Sequence, residues 1–400
     1  MLDINFVQKN PELVKENIRK KFQDKKIPLV DKAIELYTEK KNYLQDIEKI
    51  KANRNILSKE NGILFGKIKN IANDEEKNEI KAQIDSNTEK VKEDENKLKE
   101  LEELQLKVEK ELKDIMMVIP NMIDKSVPIG KDDSENVEVE RFGEPIIPNY
   151  EIPYHADIME ALGGLDKDAA GRVAGAGFYY LIGDVARIHE AILAYARDFM
   201  IEKGFTFCIP PFMIHGNIVN GVMSFEEMDS MMYKIEGEDL YLIGTSEHSM
   251  IGKYVDQIIP YEKLPLKLTS YSPCFRKEIG SHGIEERGIY RVHQFEKQEM
   301  IVICKPEESM DWYNKMWKLS VELFRSMDIP VRQLECCSGD LADLKVKSCD
   351  IEAWSPRQQK YFEVGSCSTL GDAQARRLGI RAKGENGNYY VHTLNNTVLA

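Results

Sequence analysis

Long apolar stretches are missing from this chain. No run approaches about 18 residues, so no membrane-spanning helix is expected. The opening residues, Met1-Leu2-Asp3-Ile4-Asn5, lack a basic region leading into an apolar one, so no secretory leader is expected. Cysteine is sparse: there are seven, an odd count, with Cys336 and Cys337 adjacent and no C-x-x-C spacing. This argues against a disulfide framework and reads most plainly as reduced thiols in a cytoplasmic protein. A zinc site built from Cys336, Cys337 and Cys349 would lack the paired spacing such sites use. Positive charge is not in excess either. The net charge is −13, unlike a chain coated with nucleic acid.

The charge is unevenly placed. Residues 1–120 hold 25 Lys+Arg and 25 Asp+Glu, whereas residues 121–400 hold 30 and 43. The first part is densely charged but balanced, which leaves room for a local basic stripe. It reads as a short helical lead-in over 1–26 and two long helices over 29–60 and 78–118. In the second helix Ile84, Val91, Leu98 and Leu112 share a seven-residue repeat with a gap at Gln105. Leu101, Val108 and Ile115 form the complementary repeat, giving an a/d seam. In the first, Val30, Tyr37 and Leu44 share a repeat, with Ala33 and Ile47 beside them. Residues 61–74, with Gly62 and Gly66, break both patterns and predict an antiparallel hairpin. By itself this pattern favours the plainer reading, a structural or dimerising coiled coil.

Pro120 ends the second helix, and residues 121–150, rich in Pro, Gly and Asp, read as a linker. From about residue 151 the composition changes. Short β-rich runs (179–182, 205–209, 240–243, 268–275, 298–304, 350–354 and 361–364) are interrupted by helical patterns at 186–203 and 308–326. Inserted rather than alternating helices predict an α+β domain with an antiparallel sheet. The cluster Gly171, Gly175, Gly177 lacks the strand-turn-helix frame of a dinucleotide loop.

The most informative stretch runs from Phe275-Arg276-Lys277-Glu278 through a Gly-bearing loop to Arg291-Val292-His293-Gln294-Phe295-Glu296-Lys297-Gln298-Glu299. Phe295 and Glu299, four apart on a strand, share a face. Such a platform offers a cation to a phosphate, an aromatic face to a base and a carboxylate to a polar ligand. An exposed charged hairpin is the plainer alternative.

This stretch resembles motif 2 of class II aminoacyl-tRNA synthetases in the form found in seryl-tRNA synthetases, ungapped over some 25 residues. Other resemblances follow in order: Gly204 to Pro211 to motif 1, whose strand lies at the dimer interface; Thr245-Ser246-Glu247 to the T-x-E serine loop; Glu363 to Ser368 to the E-x-x-S-C-S strand; and His392 to Thr397 to the entry of motif 3. The resemblance covers nearly the whole chain. It implies a serine-tRNA ligase with a tRNA-binding helical arm at about 1–120, the linker at 121–150 and a class II catalytic domain at 151–400.

It also implies roles. Arg276 and Glu363 would be the catalytic residues. Arg276, Lys277, Glu278, Val292, Phe295, Glu363, Val364, Gly365 and Ser366 would form the ATP site, with Arg276 on the α-phosphate and Phe295 on the adenine. Glu363 and Ser366 would help position Mg²⁺. Thr245 and Glu247, two apart on an extended segment, would face serine together with Ser246. Glu247 would meet the ammonium, and Glu299 and Thr397 the hydroxyl. ATP with Mg²⁺ is implied, and no tightly bound organic cofactor. Implied partners are tRNA(Ser), tRNA(Sec) as the family commonly charges it, and a second copy of the chain in a homodimer, with no membrane. Arg54, Lys59, Lys67 and Lys69, near the hairpin tip, are candidates for touching RNA. Asp350 and Glu352 read as supporting residues. Asn395-Asn396-Thr397 also fits a glycosylation sequon, without a leader to support it.

The family continues past an Asn395–Thr397 turn into a helix with a second phosphate-binding arginine. The sequence stops at Ala400, so motif 3 is expected to be only begun and the chain an incomplete form of a longer active protein. A silent paralogue and a coiled-coil interaction protein are the rival classes. A synthetase for another small amino acid such as threonine is the rival within the enzymes.

Overall fold

The computed structural model describes residues 1–278, 289–385 and 387–400, apart from the side chains of Phe225 and Glu226. The motif 2 loop at 279–288 lies outside the described residues. The chain divides into two compact units. One comprises Asp3–Lys15 and Lys25–Ile119; the other Met1–Leu2, Glu16–Asp24 and Pro120–Ala400. Among the described residues no helix is long and apolar enough to cross a membrane.

The first unit is a helical hairpin of α1 (Ile27–Ile68) and α2 (Asp74–Val118). Asn73 caps α2, its Oδ1 accepting from the Glu75 amide at 3.0 Å. Asp74, Glu75 and Glu76 in the first turn complement the helix dipole. The helix ends at Val118, ahead of Pro120. The seam of α2 follows the predicted repeat, with Ile84, Val108 and Leu112 buried. The seam of α1 is phased differently from the Val30-Tyr37-Leu44 reading. Val30, Ala33 and Ile47 are buried as read, but the seam passes through Leu36 and Leu57, also buried, and not through Leu44, which is 37% exposed, because it also runs through half-buried polar residues such as Lys40, Tyr43 and Arg54 that a hydrophobic repeat does not register.

The break is narrower than 61–74. Helix α1 continues through Gly62 and Gly66 to Ile68, although each glycine costs up to about 1 kcal/mol in a helix interior. Interactions across the seam outweigh that cost: Asn87 Nδ2 donates to Asn61 Oδ1 at 3.0 Å, and Asn87 is buried. A buried polar pair at one seam position fixes register. Lys40 pairs with Glu109 (2.7 Å) and Lys51 with Glu102 (2.8 Å) along its flanks.

The second unit is built on an eight-stranded sheet. Its strands in chain order are β1 (Val137–Phe142), β2 (Thr206–Cys208), β3 (Leu266–Phe275), β4 (Gln294–Cys304), β5 (Val331–Glu335), β6 (Lys347–Ser355), β7 (Lys360–Thr369) and β8 (His392–Leu399). They lie in the order β1-β5-β6-β7-β8-β4-β3-β2, antiparallel except for β2 beside β3. Helices α3 (Gly183–Glu202) and α5 (Ser309–Ser326) cover one face. There Tyr313, Met316, Trp317, Ser320 and Phe324, at helical spacing, are buried. The hydrophobic ones pack on Met300, Val302, Ile351, Leu394 and Val398.

Residues 395–397 are not a turn. They lie in β8, between β7 and β4. The asparagines suggest a turn only because sequence does not reveal their partners. Asn396 is fully buried on the helix-covered face, donating to Met316 O (2.8 Å) and Ser320 Oγ (2.9 Å).

Candidate functional site

Strand β4 alternates strictly. Met300, Val302 and Cys304 join the core beneath the helices, so Phe295, Lys297 and Glu299 project from the opposite face. Pairing aligns this face: Glu299 lies opposite Ser270 on β3 and Thr397 on β8, and Phe295 opposite Cys274. One end of the face is closed by Ile301, Ile303 and Leu268 packing with Met250, Ile251 and Leu378.

Arg276 follows β3 directly. Its Nε donates to Gly244 O at 3.1 Å, and its guanidinium carbon stands 5.2 Å from the Phe295 ring centroid. The cation and the aromatic face are thus presented as a stacked pair. Arg276 N donates to His293 O, and His293 N to Gly177 O. Gly177 has φ +82°, and a Cβ there would sit 2.5 Å from His293 Cδ2. Of the glycine cluster, Gly177 therefore serves close packing behind motif 2, whereas a Cβ at Gly171 or Gly175 would meet nothing within 4 Å. Val292 is buried. Glu278 holds φ 42°, a conformation that costs a non-glycine residue about 1–2 kcal/mol. Its carboxylate accepts from Arg291 Nη1 at 3.2 Å. Lys277 turns elsewhere, its Nζ donating to Asp229 O at 3.0 Å.

Thr245-Ser246-Glu247 is not extended. Thr245 caps the helix α4 (Ser246–Gly252), its Oγ1 accepting from the Glu247 amide at 3.3 Å. The T-x-E pattern is a capping arrangement: a hydroxyl at the N-cap with one acidic residue, Glu247, in the first turn. Thr245 and Glu247 still meet at one place. Thr245 Oγ1 donates to Glu299 Oε2 at 3.4 Å. Glu247 Oε1 accepts from Gln374 Nε2 at 2.7 Å, and Thr393 Oγ1 donates to Gln374 Oε1 at 2.6 Å, which fixes the amide's orientation. Burial, reinforced by the Glu299 charge, pushes the Glu247 carboxyl up to about 7.

Glu299 is 1% exposed, and its carboxylate pairs with Lys297 Nζ at 2.6 Å. Residue type alone gives Lys297 no role, yet its place two residues before Glu299 puts it on the same face. His248 is a second residue without a signal in the sequence. It is buried, and burial together with the Arg276 and Lys297 cations lowers it to about 3, so its imidazole is neutral.

On β7, Ser366 lies opposite Asp350. Glu363 is exposed, and its main-chain oxygen accepts from Tyr290 at 3.1 Å. Burial and the Glu363 charge push the Asp350 carboxyl upward. Val364 packs towards the helix-covered core instead. Gly365 lies against Thr397, where a Cβ would approach within 2.8 Å. Ser246 is buried at the start of α4. The structure thus gathers Arg276, Phe295, Thr245, Glu247, Glu299 and Thr397 around one sheet face, with Glu363 and Ser366 on β7, and sends Lys277 and Val364 away.

Residues 1–123 match the model of the seryl-tRNA synthetase N-terminal domain, and residues 231–400 that of the tRNA synthetase class II core domain (G, H, P, S and T). The serine-tRNA ligase of Methanoculleus marisnigri is 36% identical over 403 aligned residues, spanning 100% of this chain and 92% of the relative. That of Pyrococcus horikoshii is 38% identical over 422, spanning 100% and 90%. The crystal structure of the Pyrococcus horikoshii seryl-tRNA synthetase complexed with ATP superimposes with a TM-score of 0.87 at 37% identity, covering 100% of this chain and 92% of that one. Prolyl-tRNA synthetase from Giardia lamblia shares the fold over 61% of this chain and 50% of its own, with a TM-score of 0.54 at 15% identity.

Proposed function

The chain belongs to the seryl-tRNA synthetase family, and we propose that the pocket over β3, β4 and β8 is where it joins serine to ATP before passing it to tRNA. The observation that carries this reading is the order of groups along one strand face: the Arg276–Phe295 stack at one end and the buried Glu299 with Thr245 and Thr397 at the other. The first suits a nucleotide and its phosphate, the second a small hydroxylated amino acid.

In the first step the serine carboxylate attacks the α-phosphorus. The bond from that phosphorus to the bridging oxygen breaks, and pyrophosphate leaves with the electron pair. The nucleophile is already ionised, so the protein contributes position and charge rather than a base. Arg276 neutralises the α-phosphate, while Phe295, Glu278 and Val292 bound the adenine side. Glu247 takes the serine ammonium, and Glu299 and Thr397 the hydroxyl. In the second step a hydroxyl of the terminal tRNA ribose attacks the carbonyl carbon and AMP departs.

Glu363 and Ser366 offer only oxygen donors, and Asp350, opposite Ser366 across the β6–β7 pairing, adds another. That set fits a hard dication, so these residues would hold Mg²⁺, which would supply charge neutralisation at the phosphates when bound. Residues 1–120 would form the RNA-binding arm and 151–400 the catalytic domain in this reading, while 121–150 is more than a connection, because Val137–Phe142 within it forms the edge strand β1 of the catalytic sheet. Lys59 and Lys67 on distal α1 and Lys69 at its C-cap are exposed and, like half-buried Arg54, make no ion pair among the described residues, so their charge is available to RNA phosphates. Ile182, Ile188, Ile192 and Ile209 are exposed around α3 and β2, where a second copy would cover them in a homodimer. A cytoplasmic setting and the charging of tRNA(Sec) beside tRNA(Ser) rest on the family resemblance alone. The test is incubation with ATP, Mg²⁺, serine and a tRNA(Ser) transcript. Seryl-tRNA and AMP are expected in equal amounts, and no seryl ester would overturn the reading.

The state of Glu247 gives serine binding a pH dependence. With its folded value raised to about 7, the carboxyl is neutral below that pH and charged above it, and the ammonium needs it charged. The serine KM is expected to fall by up to about tenfold per unit as pH rises towards 7 and then to level off, while the ATP KM stays flat. Glu247→Gln should abolish the slope. The same shift makes this group oppose folding as pH climbs from 4.5 to about 7, because the folded chain retains a proton the unfolded chain releases. A pH-independent serine KM would remove Glu247 from the ammonium site.

A further inference from the structure

The buried ion pair between Lys297 and Glu299 is costly to build and is not needed to read a hydroxyl. Two charges brought out of water repay their desolvation only with good geometry and further partners. The pair lies at 2.6 Å with side chains 11% and 1% exposed. Its position along the strand is informative. Residues two apart on a strand are separated by about 6.6–6.8 Å, so Lys297 is rooted midway between Phe295, with Arg276 stacked on it, and Glu299. If nucleotide phosphate lies at the first and the serine hydroxyl at the second, the carboxylate and the α-phosphorus meet opposite Lys297. Two further atoms point to a ligand at this place. His248 Nδ1 and Ser270 Oγ are buried without a hydrogen-bond partner. Ser270 faces Glu299 across the β3–β4 pairing, and His248 lies within the field of both Arg276 and Lys297. Buried polar atoms are rarely left unsatisfied unless a bound group completes them.

We propose that Lys297 receives the serine carboxylate, and that serine enters by exchanging partners with the Lys297–Glu299 pair. This rests on the reading of the pocket as a serine-activating site. The incoming ammonium replaces the positive charge of Lys297 in the field of Glu247 and Glu299, and the hydroxyl bonds to the Glu299 oxygen that Lys297 gives up. The incoming carboxylate takes the place of Glu299 beside Lys297. Each charge stays matched, so the zwitterion enters without leaving a buried ion exposed to a low dielectric. Lys297 then lies at the junction where negative charge gathers as the carboxylate approaches the phosphate, which makes it a catalytic residue as well as a binding one. No proton moves in the step. An amino alcohol with the same ammonium and hydroxyl but no carboxylate would have nothing to offer Lys297.

The test compares serine with serinol (2-amino-1,3-propanediol) by calorimetry on the full chain and on Lys297→Met and Lys297→Gln, with ATP binding measured on each. Glutamine keeps an amide donor for Glu299, so it decides the matter if the methionine variant does not fold. The parent is expected to bind serine more tightly than serinol. In the variants serine affinity should fall about 10²-fold, and kcat/KM for serine-dependent pyrophosphate exchange about 10²–10³-fold, while serinol affinity and ATP binding stay within about threefold. Equal losses for serine and serinol would make Lys297 only a brace for Glu299 and overturn the proposal, as would unchanged serine affinity. A parent chain that binds no serine at all would instead overturn the reading of the pocket itself.

Discussion

Glu299→Ala is expected to lose serine-dependent pyrophosphate exchange by at least about 10³-fold in kcat/KM, while ATP affinity changes by no more than a few-fold. Glu299 is a deeply buried charged group of the pocket, 1% exposed and bonded to Thr245 and Lys297. Alanine removes the acceptor for the substrate hydroxyl and strands Lys297 as a buried cation. Removing one partner of such a pair costs about 3–5 kcal/mol, so part of the effect will appear as lowered stability. Glu299→Gln separates the two contributions, since it keeps the shape and an acceptor but not the charge. Arg276 and Phe295 lie at the other end of the strand face, which is why ATP affinity should survive. The same geometry predicts how the parent treats alanine as a substrate. A pocket built to bond a hydroxyl rejects the analogue lacking it by about 10⁴–10⁵ in favourable cases. Normal serine activation by Glu299→Ala, measured by exchange kinetics beside ATP calorimetry, would take Glu299 out of the hydroxyl site.

The second large effect concerns the arm. Replacing Lys25–Ile119 by a short Gly-Ser linker should leave seryl-adenylate formation within about threefold, yet reduce tRNA charging by about 10³-fold or more at physiological salt. The hairpin has its own seam and forms a compact unit apart from the catalytic residues, so its removal takes no group from the pocket. What it takes is cationic surface. Arg54, Lys59 and Lys67 sit in the distal half of α1 and Lys69 caps its end, where one acidic residue, Glu60, follows Asp46 and Glu48. With fewer cations to pair with RNA phosphates, tRNA affinity should also depend less steeply on salt. Filter binding across a salt series measures both quantities. Equal tRNA affinity with and without the arm would contradict an RNA-binding role.

Much of this organisation is legible where chemistry and periodicity coincide. Phe295 and Glu299 share a face because strands alternate, and the same rule places Met300 and Val302 in the core. The seam of α2 is readable because its positions are mostly aliphatic. The seam of α1 is misphased by a hydrophobic count because half-buried Lys40, Tyr43 and Arg54 occupy seam positions that such a count passes over. Asn395-Asn396-Thr397 resembles a turn because the partners that satisfy Asn396, on α5, lie some 80 residues earlier. Thr245-Ser246-Glu247 resembles a strand segment, although a threonine followed by an acidic first turn is also a cap. Lys297 needs no structure to be placed beside Glu299. Only the distance shows that the two charges are paired, and only burial shows that the pairing matters.

The most direct test of the account is amino-acid-dependent exchange of labelled pyrophosphate into ATP, run with this chain against each of the twenty amino acids. Serine alone should support exchange, and the serine signal should disappear in Glu299→Ala. Exchange driven by threonine or another amino acid in place of serine, or by none while ATP still binds, would contradict the assignment of the pocket.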